Sequence, residues 1–389
     1  MFTNKMLFVR FMIIFIFVSL FCTPVFAAEF DINAKSAILV DANSGQVIYE
    51  KNPHEKLPIA SVTKVMTMLL TMEALERKQV NLSDMVNISS RAASMGGSQL
   101  YMEEGEQQSL ETLMKGIAIC SANDACVAVA EYIGGSEELF VQNMNKRAAE
   151  LGMLNSNFIN TNGLPVEGHY STAYDVSLMS RELLKHNKIH EWLTVWMTTI
   201  TVGLPTKKQT QLEITNTNRL IKTYPGANGI KTGYTGEAGY CLSASATRGN
   251  MTLVSVVLGA PSTNIRFSES AKLLDYGFAV YDSINIASQN QIIGKVKVDK
   301  GKVDHVNAVT KENVSVLIKK DEKQNIRKEI ILKENVSAPV KKGEALGEIV
   351  IYKDEKIIKR YPLVSDEDVE KAGILTLYYK LFKSITANN

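Results

Sequence analysis

The sequence predicts an α/β protein: a mixed domain over residues 28–276, a small antiparallel β domain over 283–364, and a terminal amphipathic helix over 366–385. Three observations carry this. An apolar, Ala-rich helical region runs from Leu110 to Ile133. Two β-type runs, Tyr240 to Thr247 and Met251 to Leu258, flank a turn at Arg248-Gly249-Asn250 and read as a hairpin. After about Tyr276 the chain becomes rich in Val, Ile and Lys, with alternation as in Lys295-Val296-Lys297-Val298. Turn signals recur there at Lys300-Gly301, Lys342-Gly343 and Lys353-Asp354.

The first 27 residues read as a secretion signal outside the fold. Lys5 and Arg10 give a positive start, Phe11 to Phe21 is apolar apart from Ser19, and Val25-Phe26-Ala27 offers a cleavage site before Ala28. The run is short of the roughly 20 apolar residues that span a membrane. Ser19-Leu20-Phe21 is a poor lipobox for Cys22, so cleavage after Ala27 is the favoured reading. Cys120, Cys126 and Cys241 then remain, an odd count that makes no disulfide framework. Cys120 and Cys126 lie six apart on the helical region and point away from one another, as free thiols. A formal charge of +2 gives no electrostatic reason to expect nucleic acid as a partner.

The next element holds the only Ser-x-x-Lys in the chain, Ser61-Val62-Thr63-Lys64, at the start of an apolar helix that continues through Val65, Met66, Met68, Leu69 and Leu70. A residue three positions on shares the helical face, so the Lys64 ammonium can reach the Ser61 hydroxyl. A serine becomes a nucleophile only when a base takes its proton. A lysine is that base only if burial or a neighbouring cation lowers its pKa. Taken alone, the pair also reads as an N-cap serine followed by a snorkelling lysine.

Ser121-Ala122-Asn123-Asp124 then interrupts the helical region, and polar side chains in so apolar a setting need partners or a cavity. Three other Ser-x-Asn triplets, starting at Ser262, Ser283 and Ser288, show that this pattern alone is weak; a self-capped helix break fits it too. Lys231-Thr232-Gly233, followed by Tyr234, reads as an extended segment entering the hairpin. It offers a cation and a hydroxyl suited to a carboxylate, with Gly233 admitting a close substrate backbone. Alone it is just a strand end.

The order Ser-x-x-Lys, Ser-x-Asn, Lys-Thr-Gly is the active-site set of penicillin-binding proteins and class A β-lactamases. On these residues the chain resembles the low-molecular-mass penicillin-binding proteins, the serine-type D-Ala-D-Ala carboxypeptidases of peptidase family S11. The likeness extends to Asp41-Ala42-Asn43-Ser44-Gly45, Leu57-Pro58-Ile59-Ala60, Asn162-Gly163-Leu164-Pro165, the segment from Gly168 to Asp175, Asn216-Thr217-Asn218 and Ile265-Arg266-Phe267. It implies a β-lactamase/transpeptidase-like domain, an antiparallel sheet flanked by helices, with a small β domain behind it. It further implies that Ser61 attacks the carbonyl between the two D-alanines of a peptidoglycan pentapeptide stem. Lys64 would take the proton, kept neutral by the nearby charge of Lys231. Ser121 would relay a proton to the leaving amine, and Asn123 would hold the substrate amide and restrain Lys64. Lys231 and Thr232 would bind the terminal carboxylate, and the backbone N–H groups of Ser61 and Tyr234 would form the oxyanion hole. β-Lactams would be covalent inhibitors, with neither cofactor nor metal required.

Class A β-lactamases add a deacylating glutamate in a Glu-x-x-x-Asn pattern. Here Glu150 precedes Asn155 by five residues and falls on an apparent helix from Leu139 to Leu151, as a solvent-facing residue. Acylation by penicillin is therefore expected to be long-lived. The rival readings are a D,D-endopeptidase or β-lactamase of the same fold, and a silent wall-binding protein, which has no need of Lys64. His186 and His190 are spaced i, i+4, but Asn187 stands where a zinc protease carries glutamate, and no metal site is expected. His169 reads as a structural hydrogen-bonding residue, and Arg266 as either a site organiser or half of an ion pair. In the tail, Ile374, Leu377, Tyr378, Leu381, Phe382 and Ile385 fall on one side of a helix with Asp366, Glu367 and Asp368 at its start. It can pack on its own domain; the resemblance favours a helix lying in the outer face of the cytoplasmic membrane.

Overall fold

The structure, a computed structural model, describes residues 31–378 and 380, apart from residues 208 and 322–325. The secretion signal, Cys22 and the end of the terminal helix lie outside the described residues.

An antiparallel five-stranded sheet organises the first domain. β1 (Ser36–Asp41), β2 (Val47–Lys51), β3 (Ala227–Thr235), β4 (Gly239–Arg248) and β5 (Met251–Ala260) stand in the order β2-β1-β5-β4-β3. The last hairpin is the one the sequence predicts, with Arg248 paired to Met251 across the two-residue turn Gly249-Asn250. Ser243 opposes Val256 in the β4–β5 ladder, so neighbouring Ser255 points to the other face. Ser243 bonds Ser180 of α5 (Ala173–Leu183) at 2.7 Å, while Ser255 bonds Ser270 of α6 (Thr263–Val280) at 2.5 Å. The two helices therefore cover opposite faces. Lys231 opposes Ser243, which puts its side chain on the α5 side, among the remaining helices.

Those helices pack around α1 (Lys64–Glu76), which buries Val65, Met66, Met68, Leu69, Leu70 and Met72. A helix apolar all round belongs in a core. α2 (Leu110–Ile119), α3 (Asn123–Gly134) and α4 (Glu137–Glu150) complete the cluster. Ser109, Ser136, Thr172 and Ser262 cap α2, α4, α5 and α6 by accepting a backbone N–H two or three residues into the helix. The break between α2 and α3 falls at residues 120–122, so Asn123 and Asp124 open α3 instead of lying in the break.

The C-terminal region forms a six-stranded sheet in the order 326–332, 345–353, 356–365, 305–310, 292–299, 335–337, with a separate pair formed by 281–287 and 314–319. The fold is thus mixed α/β with a β-rich C-terminal domain. The tail departs from expectation. Residues 366–373 are not helical: Val369 bridges Val340 and Lys371 bridges Gly301, holding the chain extended against the β domain. Helical residues begin at Ile374, so Asp366, Glu367 and Asp368 do not form a first turn. No helix of the described residues is long and apolar enough to cross a membrane.

Candidate active site

Ser61 lies in a 3-10 turn, Ala60–Thr63, that runs into α1, and neither Ser61 nor Thr63 makes a side-chain cap bond. The N-cap reading therefore fails, and the i, i+3 pairing holds: Lys64 Nζ donates to Ser61 Oγ at 2.9 Å. Its other two protons go to Asn123 Oδ1 and to the Asn162 carbonyl, both at 2.7 Å. Lys64 is 0% exposed. Burial holds it at about 8, well below the ordinary 10.5. When Lys64 is neutral, the two carbonyl-type acceptors keep its two N–H bonds, which leaves the lone pair facing the Ser61 hydroxyl.

Lys231, 1% exposed, is the second buried ammonium, and neither lysine forms an ion pair among the described residues. It sits at about 7, lowered first by burial and then by Lys64. The sequence reading assigned the lowering of Lys64 to Lys231. The structure adds burial: loss of solvent is the largest cause at Lys64, while the like-charge repulsion between the two ammonium groups is mutual and favours the neutral form of either.

Asn123 is held at both ends. Its backbone N–H bonds Ser98 O at 2.7 Å, its Nδ2 bonds Gly96 O at 2.6 Å, and its Oδ1 restrains Lys64. Asp124, buried beside it, anchors the same loop by accepting the N–H groups of Leu100 and Met102. Ser121 stands at the helix break with φ of +69°, a left-handed conformation that costs a non-glycine residue of order 1–3 kcal/mol. It is buried, two residues from Asn123, and bonds no other member of the set among the described residues.

On β3, Thr232 Oγ1 donates to Thr217 Oγ1 at 2.7 Å, and the Thr217 N–H bonds the Ile119 carbonyl beside the break. The strand is thus tied to the Ser121 loop. At Gly233 a Cβ would stand 2.8 Å from Ile59 O and 2.9 Å from Ser61 N, so the missing side chain admits the nucleophile's own backbone. Tyr234, 55% exposed, stacks on Tyr240 at 4.4 Å. Arg266 makes no ion pair among the described residues; it donates to Gly233 O at 2.9 Å and lies over Tyr240 and Phe267. It organises the strand.

Other groups surround the site or lie beyond it. Gly163, at φ +84°, lies so close to the turn that a Cβ would overlap Ala60 O. His169 accepts the Ile159 N–H at Nδ1, so Nε2 carries the proton donated to Thr63 Oγ1 at 2.8 Å. Burial holds it near 4, neutral and structural. Cys126 and Cys241 are buried and Cys120 half-buried, all free. Burial pushes Cys126 to about 12, which keeps it a thiol. His186 and His190 are engaged by Glu76 and by the Leu184 carbonyl.

A serine and a neutralisable lysine on an α-cluster, facing a Lys-Thr-Gly strand, define the class of penicillin-binding serine peptidases. A family model for D-alanyl-D-alanine carboxypeptidase matches residues 23–262, and one for the penicillin-binding protein 5 C-terminal domain matches 281–371. The D-alanyl-D-alanine carboxypeptidase DacF of Bacillus subtilis is 46% identical, covering 88% of this chain and 87% of the relative. DacC of Escherichia coli is 37% identical, covering 92% and 90%. Penicillin-binding protein 5 of Haemophilus influenzae superposes with a TM-score of 0.70 at 30% identity, covering 88% of this chain and 98% of that one. The chain belongs to the D-alanyl-D-alanine carboxypeptidase family, peptidase S11, and is a serine hydrolase of that class.

Proposed function

We propose that Ser61 is the acylated residue and Lys64 its base, in an exported enzyme that removes the terminal D-alanine from peptidoglycan stem peptides. One observation carries this: Lys64 is fixed by Asn123 and Asn162 so that its third position faces Ser61 Oγ. Ser61 Oγ bonds to the carbonyl carbon between the D-alanines as Lys64 takes its proton. The backbone N–H groups of Ser61 and Tyr234 hold the oxyanion, and Lys231 and Thr232 hold the terminal carboxylate. As the C–N bond breaks, the amine gains a proton through Ser121. Water activated by Lys64 then opens the ester.

This residue set lacks a β-lactamase's second base. Glu150 is exposed on α4 and pairs with Arg147 at 3.4 Å. Fluorescent penicillin is therefore expected to label the enzyme and stay bound through an hour's chase, while the same preparation releases D-alanine from pentapeptide. Rapid loss of label, with turnover of the antibiotic, would favour the β-lactamase reading.

The pH dependence follows from Lys64. It must be neutral to act, and it loses its proton around pH 8. Acylation is expected to rise with pH while Lys231, at about 7, keeps the charge that holds the carboxylate, by roughly eightfold between pH 5.5 and 6.5, and to level off above pH 7. A rate flat across that interval would remove Lys64 as base.

Residues 1–27 would direct export, and the tail would hold the enzyme on the outer face of the cytoplasmic membrane. Ile374, Leu375 and Tyr378 are 82%, 87% and 75% exposed, apolar groups that a lipid surface would cover. Because Val369 and Lys371 are tied to the β domain, the informative truncation removes 374–389. It should leave the membrane fraction with turnover intact; continued sedimentation with membranes would refute the anchor.

A further inference from the structure

A cavity of about 530 Å³ opens between the first domain and the β domain, and it shares no residue with the Ser61 site. The first domain lines it with Asn43 from the β1–β2 turn, Arg181 from α5 and Asn187 beyond that helix. The β domain lines it with Lys311, Glu312 and Asn313, the turn between strands 305–310 and 314–319. The two domains meet at the β1–β2 turn. Arg181 Nε donates to the Ala42 carbonyl at 2.8 Å and Nη2 to the Asn43 carbonyl at 3.4 Å, while Lys359 donates to the Ser44 carbonyl at 2.5 Å. Gly45, at φ +75°, makes room for the guanidinium, since a Cβ there would stand 2.6 Å from Nη1. Arg181 is thus fixed by carbonyls alone. Among the described residues no carboxylate lies within ion-pair distance of it, and Nη1 has no hydrogen-bond partner. A cation drawn this far from water is as a rule paired. The Lys311 ammonium and the side-chain amides of Asn43 and Asn187 are also without partners among the described residues. Arg181, Lys185 and Lys311 outnumber Glu312, the one carboxylate of the lining, and of the three only Lys185 has an acidic partner, Glu182 at 2.8 Å.

We propose that this cavity binds a phosphorylated sugar or polyol, with the phosphate on Arg181 and Lys311 and the hydroxyls on the amides of Asn43, Asn187 and Asn313. The guanidinium and the ammonium come from different domains, and tetrahedral phosphate oxygens serve donors on two walls better than a planar carboxylate does. Hydroxyls need partners that both donate and accept, which carboxamides are. Asn313 already accepts the Gln289 N–H at Oδ1, so it offers its Nδ2. The same chemistry reaches the enzyme either as a free sugar or polyol phosphate or as the phosphodiester units of an anionic polymer. The ligand bridges the two domains and takes no part in the serine chemistry.

The test titrates the full-length enzyme by calorimetry at low salt with glucose 6-phosphate, glycerol 3-phosphate and poly(glycerol phosphate). Inorganic phosphate and glucose are the controls, and fluorescent penicillin labelling is run beside each titration. At least one of the three phosphorylated probes should bind about tenfold more tightly than either control and weaken as salt is added. Binding of the polymer alone identifies an anionic polymer as the source, and binding of a monomer identifies a free phosphate; both outcomes support the site. Lys311→Glu on one wall and Asn187→Ala on the other change exposed side chains, so folding should be intact. They should weaken binding by about tenfold and about threefold, with penicillin labelling unchanged. Inorganic phosphate binding as tightly as every phosphorylated probe would mean an adventitious ion only and would overturn the site. So would binding unmoved by both variants, no binding of any phosphorylated probe, or a ligand that competes with penicillin.

Discussion

Ser61→Ala should neither bind penicillin covalently nor release D-alanine, with kcat reduced by about 10⁴- to 10⁶-fold. The side chain is small and half-buried, and its only bond within the site is the one it accepts from Lys64. Folding should therefore be untouched, and circular dichroism and Tm should match wild type. Lys64→Arg separates the base from mere charge. Arginine keeps a cation and several donors near Asn123 and Asn162, but it stays protonated and cannot take the serine proton. It should be as inactive as Ser61→Ala. Lys64→Met keeps a comparable length without charge in a pocket that is already 0% exposed, so it should fold and yet fail to acylate. D-alanine release by Ser61→Ala, or acylation of Lys64→Arg, would refute the assignment.

The lysines show where motif and environment divide the explanation. Resemblance to the penicillin-binding pattern singled out Ser61, Lys64, Asn123 and Lys231; taken one at a time, their residue types and spacing did not. The cause of the pKa shift was not readable in the same way. Spacing reports which groups share a face, but burial depends on what α1, α3 and β3 bring together from distant parts of the chain. Hence the lowering at Lys64 comes mainly from lost solvent, which no motif displays.

Backbone groups were harder still to read. The Asn162 carbonyl fixes Lys64 as firmly as Asn123 does, yet a carbonyl has no residue-type signature. Ala60 and Ser121 carry positive φ values of +46° and +69°, which neither residue type advertises. Both flank the reacting groups, where stored strain is most often found. The tail failed for a related reason. The described residues are helical from Ile374, but the pairing of Val369 with Val340 captured the preceding residues, and periodicity cannot report such a tertiary competitor.

Gly163→Ala should be the most damaging single-methyl change in the molecule. Two costs add. The residue sits at φ +84°, where an L side chain costs about 1–2 kcal/mol. The new Cβ would also overlap the Ala60 carbonyl, which is backbone and not a flexible side chain that can swing away. Relieving such overlap typically costs a further 1–3 kcal/mol, roughly. Together these predict a fall in Tm of about 5–15 °C. Activity should suffer more than stability. The loop bearing Gly163 also presents the Asn162 carbonyl to Lys64, and Ala60 immediately precedes Ser61, so the overlap pushes base and nucleophile apart. A displacement near 1 Å costs on the order of 100-fold in rate. The folded variant, assayed well below its Tm, should therefore acylate about 100-fold more slowly with substrate binding at Lys231 and Thr232 little changed. Gly105→Ala is the matched control, since it shares a positive φ of +79° but has open space around its Cβ position. It should lose stability by the conformational cost alone and keep its rate. If Gly163→Ala lost no more rate than Gly105→Ala, the Asn162–Gly163 turn would be shown to have no part in setting the Ser61–Lys64 geometry.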